Sequence, residues 1–278
     1  MSILIADSGA TKTEWCVKSD DEEGIYSTEG LNPYYHTESS TERVIKEELS
    51  PQLGEVVISE IFFYGAGCDS ERKKNQVKSV LTKCFPEASC IVYHDLFGAA
   101  RACFFDEPGI ACILGTGSNS CLYDGTKIVE HTPSLAFILG DEGSAGYFGK
   151  QLINNYYRYE LPGELKKDLE ENYNMDIEHI NAELYDGDQK SRFIASYGAF
   201  LGKHDDHPYI QDMLYKGFKN FIGRIVMKYT DANEYEVRFI GSVAAGHRDI
   251  IDGILDEYGM EPGTYIRNPM RRLIKYHS

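Results

Sequence analysis

Apolar residues gather in short runs that stop at glycine. Ser2 to Asp7 reads Ser-Ile-Leu-Ile-Ala-Asp and halts at Ser8-Gly9, the pattern of a buried strand ending in a turn. Thr13 to Lys18 is then its hairpin partner. Residues 38 to 50 carry Glu38, Val44, Ile45 and Leu49 at helical spacing, and Ser50-Pro51 is expected to end that helix. Val56 to Tyr64 predicts a strand running into Gly65-Ala66-Gly67, after which Asp69 or Ser70 caps a basic helix through about Lys83. Ile91-Val92-Tyr93 predicts another buried strand, and His94-Asp95 opens a short helix to Phe104. This is an α/β succession over roughly the first hundred residues.

From Gly109 the pattern begins again. Ile110 to Leu114 predicts a strand that stops at Gly115-Thr116-Gly117-Ser118, with a returning strand through Tyr123, a turn at Asp124-Gly125 and a third strand from Lys127 to Glu130. The opening strand, glycine turn and returning strand of the first half thus recur as a weak internal repeat. Residues 143 to 230 read as mostly helical. Arg238-Phe239-Ile240 is a strand stopping at Gly241-Ser242-Val243-Ala244, a helix follows to about Tyr258, and Asn268 to Tyr276 forms a short terminal helix. With no low-complexity linker, the expected domains are 1–107 and 108–278. The second carries the helical insertion, and its terminal helix is placed back on the first.

Length agrees: 278 residues, at about 150 per domain, allow two domains or one large one. The seven cysteines are odd in number, form no CxxC pair and sit mostly in apolar runs, which excludes a disulfide framework and a zinc ribbon. The net charge of −16 excludes a broad nucleic-acid footprint. An acidic chain that binds phosphates must use backbone amides, a few chosen cations and a metal. Met1 is followed by neither a basic lead nor a long apolar region, and no run of 18 apolar residues occurs, so a soluble cytoplasmic protein without a membrane partner is expected.

Three glycine-bearing strand ends carry the candidate chemistry. Asp7-Ser8-Gly9-Ala10-Thr11-Lys12-Thr13 lets a phosphate approach backbone amides and hydroxyls, with Lys12 offsetting its charge. The carboxylate of Asp7 would repel phosphate unless it holds a cation, which implies hydrated magnesium. A hairpin turn whose polar residues merely face water is the alternative. Gly115-Thr116-Gly117-Ser118-Asn119 repeats the device, and Gly241-Ser242-Val243-Ala244-Ala245-Gly246 opens a helix with small residues beside which a nucleobase or ribose can lie. Asp95, between a buried strand and a helix, is either an N-cap or a general base for phosphoryl transfer. In Gly140-Asp141-Glu142-Gly143-Ser144, Asp141 is a candidate for substrate hydroxyls and Glu142 or Ser144 for capping. His94, His131 and His247 lack ligand spacing.

These five blocks resemble, in order, those of the actin, hexokinase and Hsp70 ATPase superfamily, and are most similar to the N-acetylglucosamine kinase branch of the BadF/BadG/BcrA/BcrD group. The resemblance spans Asp7 to Ala245, with little of it in 155–235. It implies two ribonuclease-H-like, actin-like ATPase domains flanking a nucleotide cleft. Ser8, Gly9, Thr11, Lys12 and Thr13 match the first phosphate loop, Gly115, Thr116 and Gly117 the second, and Gly241, Ser242 and Ala244 the adenosine motif. Asp95 aligns with the catalytic base, and Asn32, Asn119 and Asp141 with contacts to the sugar. The tyrosines of Asn32-Pro33-Tyr34-Tyr35 depart from that pattern and bear on the sugar pocket.

The expected activity is ATP-dependent phosphorylation of an amino sugar, N-acetylglucosamine at its 6-hydroxyl by family analogy, with association as a homodimer left open. Two alternatives stand beside it. One is the ATPase that activates a partner dehydratase, whose cysteine block similar to Cys-Ala-Ala-Gly-Thr-Gly is replaced here by Asp141-Glu142-Gly143-Ser144-Ala145-Gly146. The other is a nonenzymatic sensor, disfavoured because no DNA-binding helix pair precedes Asp7.

Overall fold

The computed structural model describes residues 2–19 and 23–278. Two compact units result: Met1–Glu107 with Gly125–Lys127 and Asn268–Ser278, and Pro108–Asp124 with Ile128–Arg267. In the first, β1 (Ser2–Ser8), β2 (Lys12–Lys18), β3 (Glu23–Glu29), β4 (Ile58–Gly65) and β5 (Ser89–His94) lie in the order β3-β2-β1-β4-β5. In the second, β6 (Gly109–Leu114), β7 (Ser118–Tyr123), β8 (Ile128–Glu130), β9 (Val237–Ile240) and β10 (Pro262–Ile266) lie in the order β8-β7-β6-β9-β10. β1, β2 and β3 form an antiparallel meander and β4 runs parallel to both β1 and β5. β6, β7, β8, β9 and β10 repeat that pattern strand for strand. The repeat in the sequence is therefore a repeat of topology.

β1 is central, and Leu4, Ile5 and Ala6 are all buried, as expected of a strand covered on both faces. On one face Leu4, Ala6, Trp15, Phe63 and Val92 pack with Val44, Ile45 and Leu49 and with Val77 and Leu81 of the helix Glu71–Cys84. On the other, Tyr64 stacks on Tyr93 at 5.3 Å. The helix Met270–Tyr276 packs there against β1, β2 and the helix Asp95–Phe104. Its Arg272 donates to the carbonyls of Ala102 and Cys103, groups that a helix C-terminus leaves without partners. In the second unit the sheet packs on the helices Ala145–Tyr157, Pro208–Arg224 and Arg248–Glu257, with Phe148 meeting Phe218 edge-on at 5.2 Å. Among the described residues no helix is long and apolar enough to cross a membrane.

Four elements depart from the sequence expectation. Ser50-Pro51 does not end the first helix. The chain passes from Glu38–Val44 through a wide π turn at Ile45–Leu49 into Ser50–Leu53, and stops at Gly54, whose φ is +63°. Proline is tolerated there because the first turn of a new helical segment needs no amide donor at that position. Strands β3 and β10 were not anticipated, the first being an edge strand rich in polar residues and the second opening on Pro262-Gly263. The helix after Gly241 is broken at His247, into Ser242–Gly246 and Arg248–Glu257.

Leu273, fully buried under the first sheet, tests how far the terminal helix supports this unit. Leu273→Ala should cost about 2–5 kcal/mol and lower the first thermal transition by several degrees. The exposed Arg271→Ala on the same helix should shift it by under about 1 °C; equal shifts would refute this packing.

Candidate functional site

The carboxyl ends of the parallel strands define one edge of each sheet, where open α/β sheets bind ligands. In the first unit the pairings Ser8 to Gly65 and Gly65 to His94 align the ends of β1, β4 and β5. The turn Gly9–Lys12 projects from β1 and is closed by the Gly9 amide donating to the Lys12 carbonyl at 3.0 Å. Gly9 and Lys12 are exposed, while Ala10 and Thr11 are half-buried. Ser8 and Thr13 are fully buried. The Thr13 hydroxyl donates to the Glu29 carbonyl at 3.0 Å and lies 2.8 Å from the Ser8 hydroxyl, which accepts from the Leu31 amide at 3.0 Å. Their hydroxyls thus hold the hairpin to the Gly30–Asn32 loop. A phosphate is left the turn's backbone and Lys12, whose ammonium also pairs with Glu14 at 3.1 Å.

Gly30 lies against this turn so closely that a Cβ there would come within 2.5 Å of the Gly9 carbonyl oxygen. Asn32 is carried beside it. Gly67, with φ +75°, leaves room for the Asn32 amide, since a Cβ would sit 2.3 Å from its Oδ1. Neither glycine was singled out from the sequence, and the doublet Gly65-Ala66-Gly67 was its one legible trace.

Asp95 is the first residue of its helix, and the N-cap is His94, whose Nδ1 accepts from the Leu96 amide at 3.3 Å. Asp95 Oδ1 accepts from the same amide at 2.8 Å and lies 3.1 Å from His94 Nδ1. Oδ2 has no partner among the described residues and remains open to a ligand proton. Asp7 lies in the field of Asp95. Its carboxyl is pushed up to about 7, first by burial, then by Asp95 and Glu14, with Lys12 opposing. A half-buried carboxylate with two like charges and one exposed lysine is a fit place for a divalent cation. No group of three or more His, Cys, Asp or Glu side chains among the described residues could hold a metal on its own. Magnesium would therefore keep water and phosphate ligands around Asp7.

In the second unit the turn Gly115–Gly117 is closed by the Gly115 amide on the Gly117 carbonyl at 3.0 Å. It also receives the Ala145 and Gly146 amides on the carbonyls of Gly115 and Thr116. Ser144 caps the helix behind it, accepting from the Tyr147 amide at 3.1 Å. Asp141, buried with φ +58°, accepts from the Ser118 amide at 3.2 Å, and its Oδ2 would lie 2.9 Å from a Cβ at Gly117. Burial raises its carboxyl above the usual range, and the Ser118 amide opposes this. Asp141 is thus built into the second glycine turn. Asn119 Oδ1 accepts from the Ser120 amide at 3.0 Å and lies 2.9 Å from His131 Nε2, a contact without sequence signal. Glu142 pairs with Arg224 at 3.1 Å.

Gly241 has φ +118°, and a Cβ there would come within 2.2 Å of the Leu114 carbonyl oxygen, so glycine is required where β9 ends beside the second turn. Ser242 is exposed. Ala244 is packed in the core beside it. The structure therefore gathers Asp7, Gly9, Thr11, Lys12, Asn32 and Asp95 at one sheet edge. Gly115, Thr116, Gly117, Asn119, Asp141, Gly241 and Ser242 gather at the other.

The whole chain is similar to the putative N-acetylglucosamine kinase of Porphyromonas gingivalis, at 35% identity over 99% of this chain and 98% of that one, with a TM-score of 0.93. Two more distant structures share the two-domain actin-like ATPase fold. The putative N-acetylglucosamine kinase of Chromobacterium violaceum is 14% identical, covers 100% of this chain and 99% of its own and has a TM-score of 0.73. A ROK family glucokinase of Streptomyces griseus, in complex with glucose and AMPPNP, is 13% identical over 99% and 98%, with a TM-score of 0.54. No family model and no curated protein matches the chain.

The raised Asp7 carboxyl predicts a pH dependence of stability. Unfolded, the group ionises near 3.8, and folded near 7, so between those values the folded state holds the extra proton. Metal-free protein should lose stability as pH rises from about 4 to about 7, and Asp7→Asn should remove that slope. Melting temperatures of both proteins across this range decide it, and parallel profiles would sink the assignment.

Proposed function

The chain belongs to the N-acetylglucosamine kinase-like family, and we propose on that footing that it transfers the γ-phosphoryl group of ATP to the 6-hydroxyl of N-acetylglucosamine. The observation that carries this reading is Asp95, with one oxygen engaged by the Leu96 amide and the other free. It stands at the end of β5, two strands from the Gly9–Lys12 turn.

In this reading Asp95 Oδ2 accepts the proton of the sugar hydroxyl as its oxygen bonds to the γ-phosphorus. The bond from that phosphorus to the β–γ bridging oxygen breaks, and ADP leaves with the bonding pair. The Gly9–Lys12 turn and the Lys12 ammonium hold phosphate oxygens, as do the amides of Thr116 and Gly117. Gly241 and Ser242 border the nucleoside. Asn32 and Asn119 contact the sugar, and Asp141 orients the second turn as well as serving the sugar. Magnesium bound at Asp7 through water would neutralise charge on the β- and γ-phosphates. A carboxylate suffices at Asp95 because the transition state is loose and demands orientation more than proton abstraction. Hydroxyls and acetamido groups distinguish the sugar from water, since unpaired polar groups in a closed site are costly.

ADP release measured across amino sugars, hexoses and a blank without sugar tests the activity. N-acetylglucosamine should stimulate release most, whereas equal rates in every well would reduce the protein to an ATPase. Asp95→Asn should lower transfer by roughly 10²-fold or more. Because His94 supplies the cap, the melting temperature should stay near the parent's. A folded Asp95→Asn enzyme of near-parental rate would remove Asp95 as the base.

A further inference from the structure

Lys73 is a buried cation, only 7% exposed, and among the described residues it enters no ion pair. Burying an ammonium without a counter-charge is costly unless other groups solvate it. Here two groups of one loop do so. The Lys73 amine donates to the Pro33 carbonyl and stands 4.3 Å from the centroid of the Tyr34 ring. The Tyr34 hydroxyl donates to Asp69 at 2.9 Å, and Gln76 donates to the His36 carbonyl at 2.7 Å. The loop is thus held from the helix Glu71–Cys84 and from the residues just before it.

The held loop carries Asn32. The Tyr34 amide donates to Asn32 Oδ1 at 2.9 Å, and the amides of Tyr35 and His36 donate to the Asn32 carbonyl at 3.0 and 2.9 Å. Fixing Oδ1 as an acceptor leaves the Asn32 amide nitrogen as a donor without a partner among the described residues. An acetamido carbonyl or a ring hydroxyl oxygen matches such a donor.

We propose that Lys73 is a positioning residue for the sugar, acting through Pro33 and Tyr34 to fix the orientation of Asn32. This rests on the sugar-kinase reading. Replacing the ammonium by an apolar group of similar length fills the same space but leaves the Pro33 carbonyl only the long bond from Gln76 at 3.4 Å and takes the cation from the Tyr34 ring. The Asn32 amide then loses its aim while the turn Gly9–Lys12, held by Ser8 and Thr13, keeps its shape.

The test is a double-mutant cycle in the full chain with N-acetylglucosamine and ATP as substrates. Lys73→Met should raise the sugar KM roughly tenfold, with the ATP KM within about twofold of the parent's. In an Asn32→Ala background it should add nothing, because the two act as one unit. Tyr34→Phe, which loses only the contact to Asp69, should raise the sugar KM by a smaller factor, and it carries the cycle if Lys73→Met does not fold. A parental sugar KM, an equal rise in the ATP KM, or an undiminished effect in the Asn32→Ala background overturns the positioning role while leaving the kinase reading intact. A parent protein that phosphorylates no sugar overturns both.

Discussion

Hydrogen-bond register between parallel strands is the constraint on which this chemistry depends. The pairing of β1 with β4 and of β4 with β5 sets Ser8, Gly65 and His94 in one row. Adjacent strands are about 4.8 Å apart, so the turn that follows Ser8 and the carboxylate that follows His94 stand about 10 Å apart with a glycine between them. Such a gap admits a phosphoryl group and the hydroxyl that receives it. A slip of one residue along β4 would turn Asp7 and Asp95 toward opposite faces. The Ala66 amide, donating to the Ser8 carbonyl at 2.7 Å, carries the ladder one step past the strand end and pins that register where it matters most.

Charge is the second constraint, and it runs against the ligand. A chain of net charge −16 that places Asp7, Glu14 and Asp95 at one sheet edge repels a polyphosphate, and one exposed lysine does not reverse the field. What remains attractive is short-range, in backbone amides exposed by glycine turns and, in the proposed reading, in a cation beside the very carboxylates that repel. In the proposed reading a metal makes the acids and the phosphate site compatible.

Much of this was legible in the sequence. Buried central strands are apolar runs, and glycine stops mark the turns after β1, β4, β6 and β9. Strands β3 and β10 were illegible because edge strands need no apolar run. The roles of Ser8 and Thr13 were illegible for another reason. They are direct partners across the hairpin, so their hydroxyls meet on one face, and nothing short of the pairing register shows that two polar residues flanking a turn look inward. The two readings of Asp95 stay side by side, since His94 Nδ1 and Asp95 Oδ1 both accept from the Leu96 amide while Oδ2 does not. Asp141 needed φ +58° and the fold of a distant loop to reach Ser118.

Topology is duplicated in this chain, but its chemistry is not. Where β1 ends in Asp7-Ser8, β6 ends in Ile113-Leu114, and where β5 is followed by Asp95, β10 is followed by Arg267. The second sheet thus lacks both acids of the first. Its carboxylate at that edge, Asp141, comes from a loop, and it is spoken for by the Ser118 amide and pressed against Gly117. A carboxylate with an oxygen free to take a proton suits a base, and one committed to a turn's backbone suits a support for that turn. The difference in hydrogen bonding thus favours, within the proposed reading, a proton acceptor in the first unit and a structural support in the second.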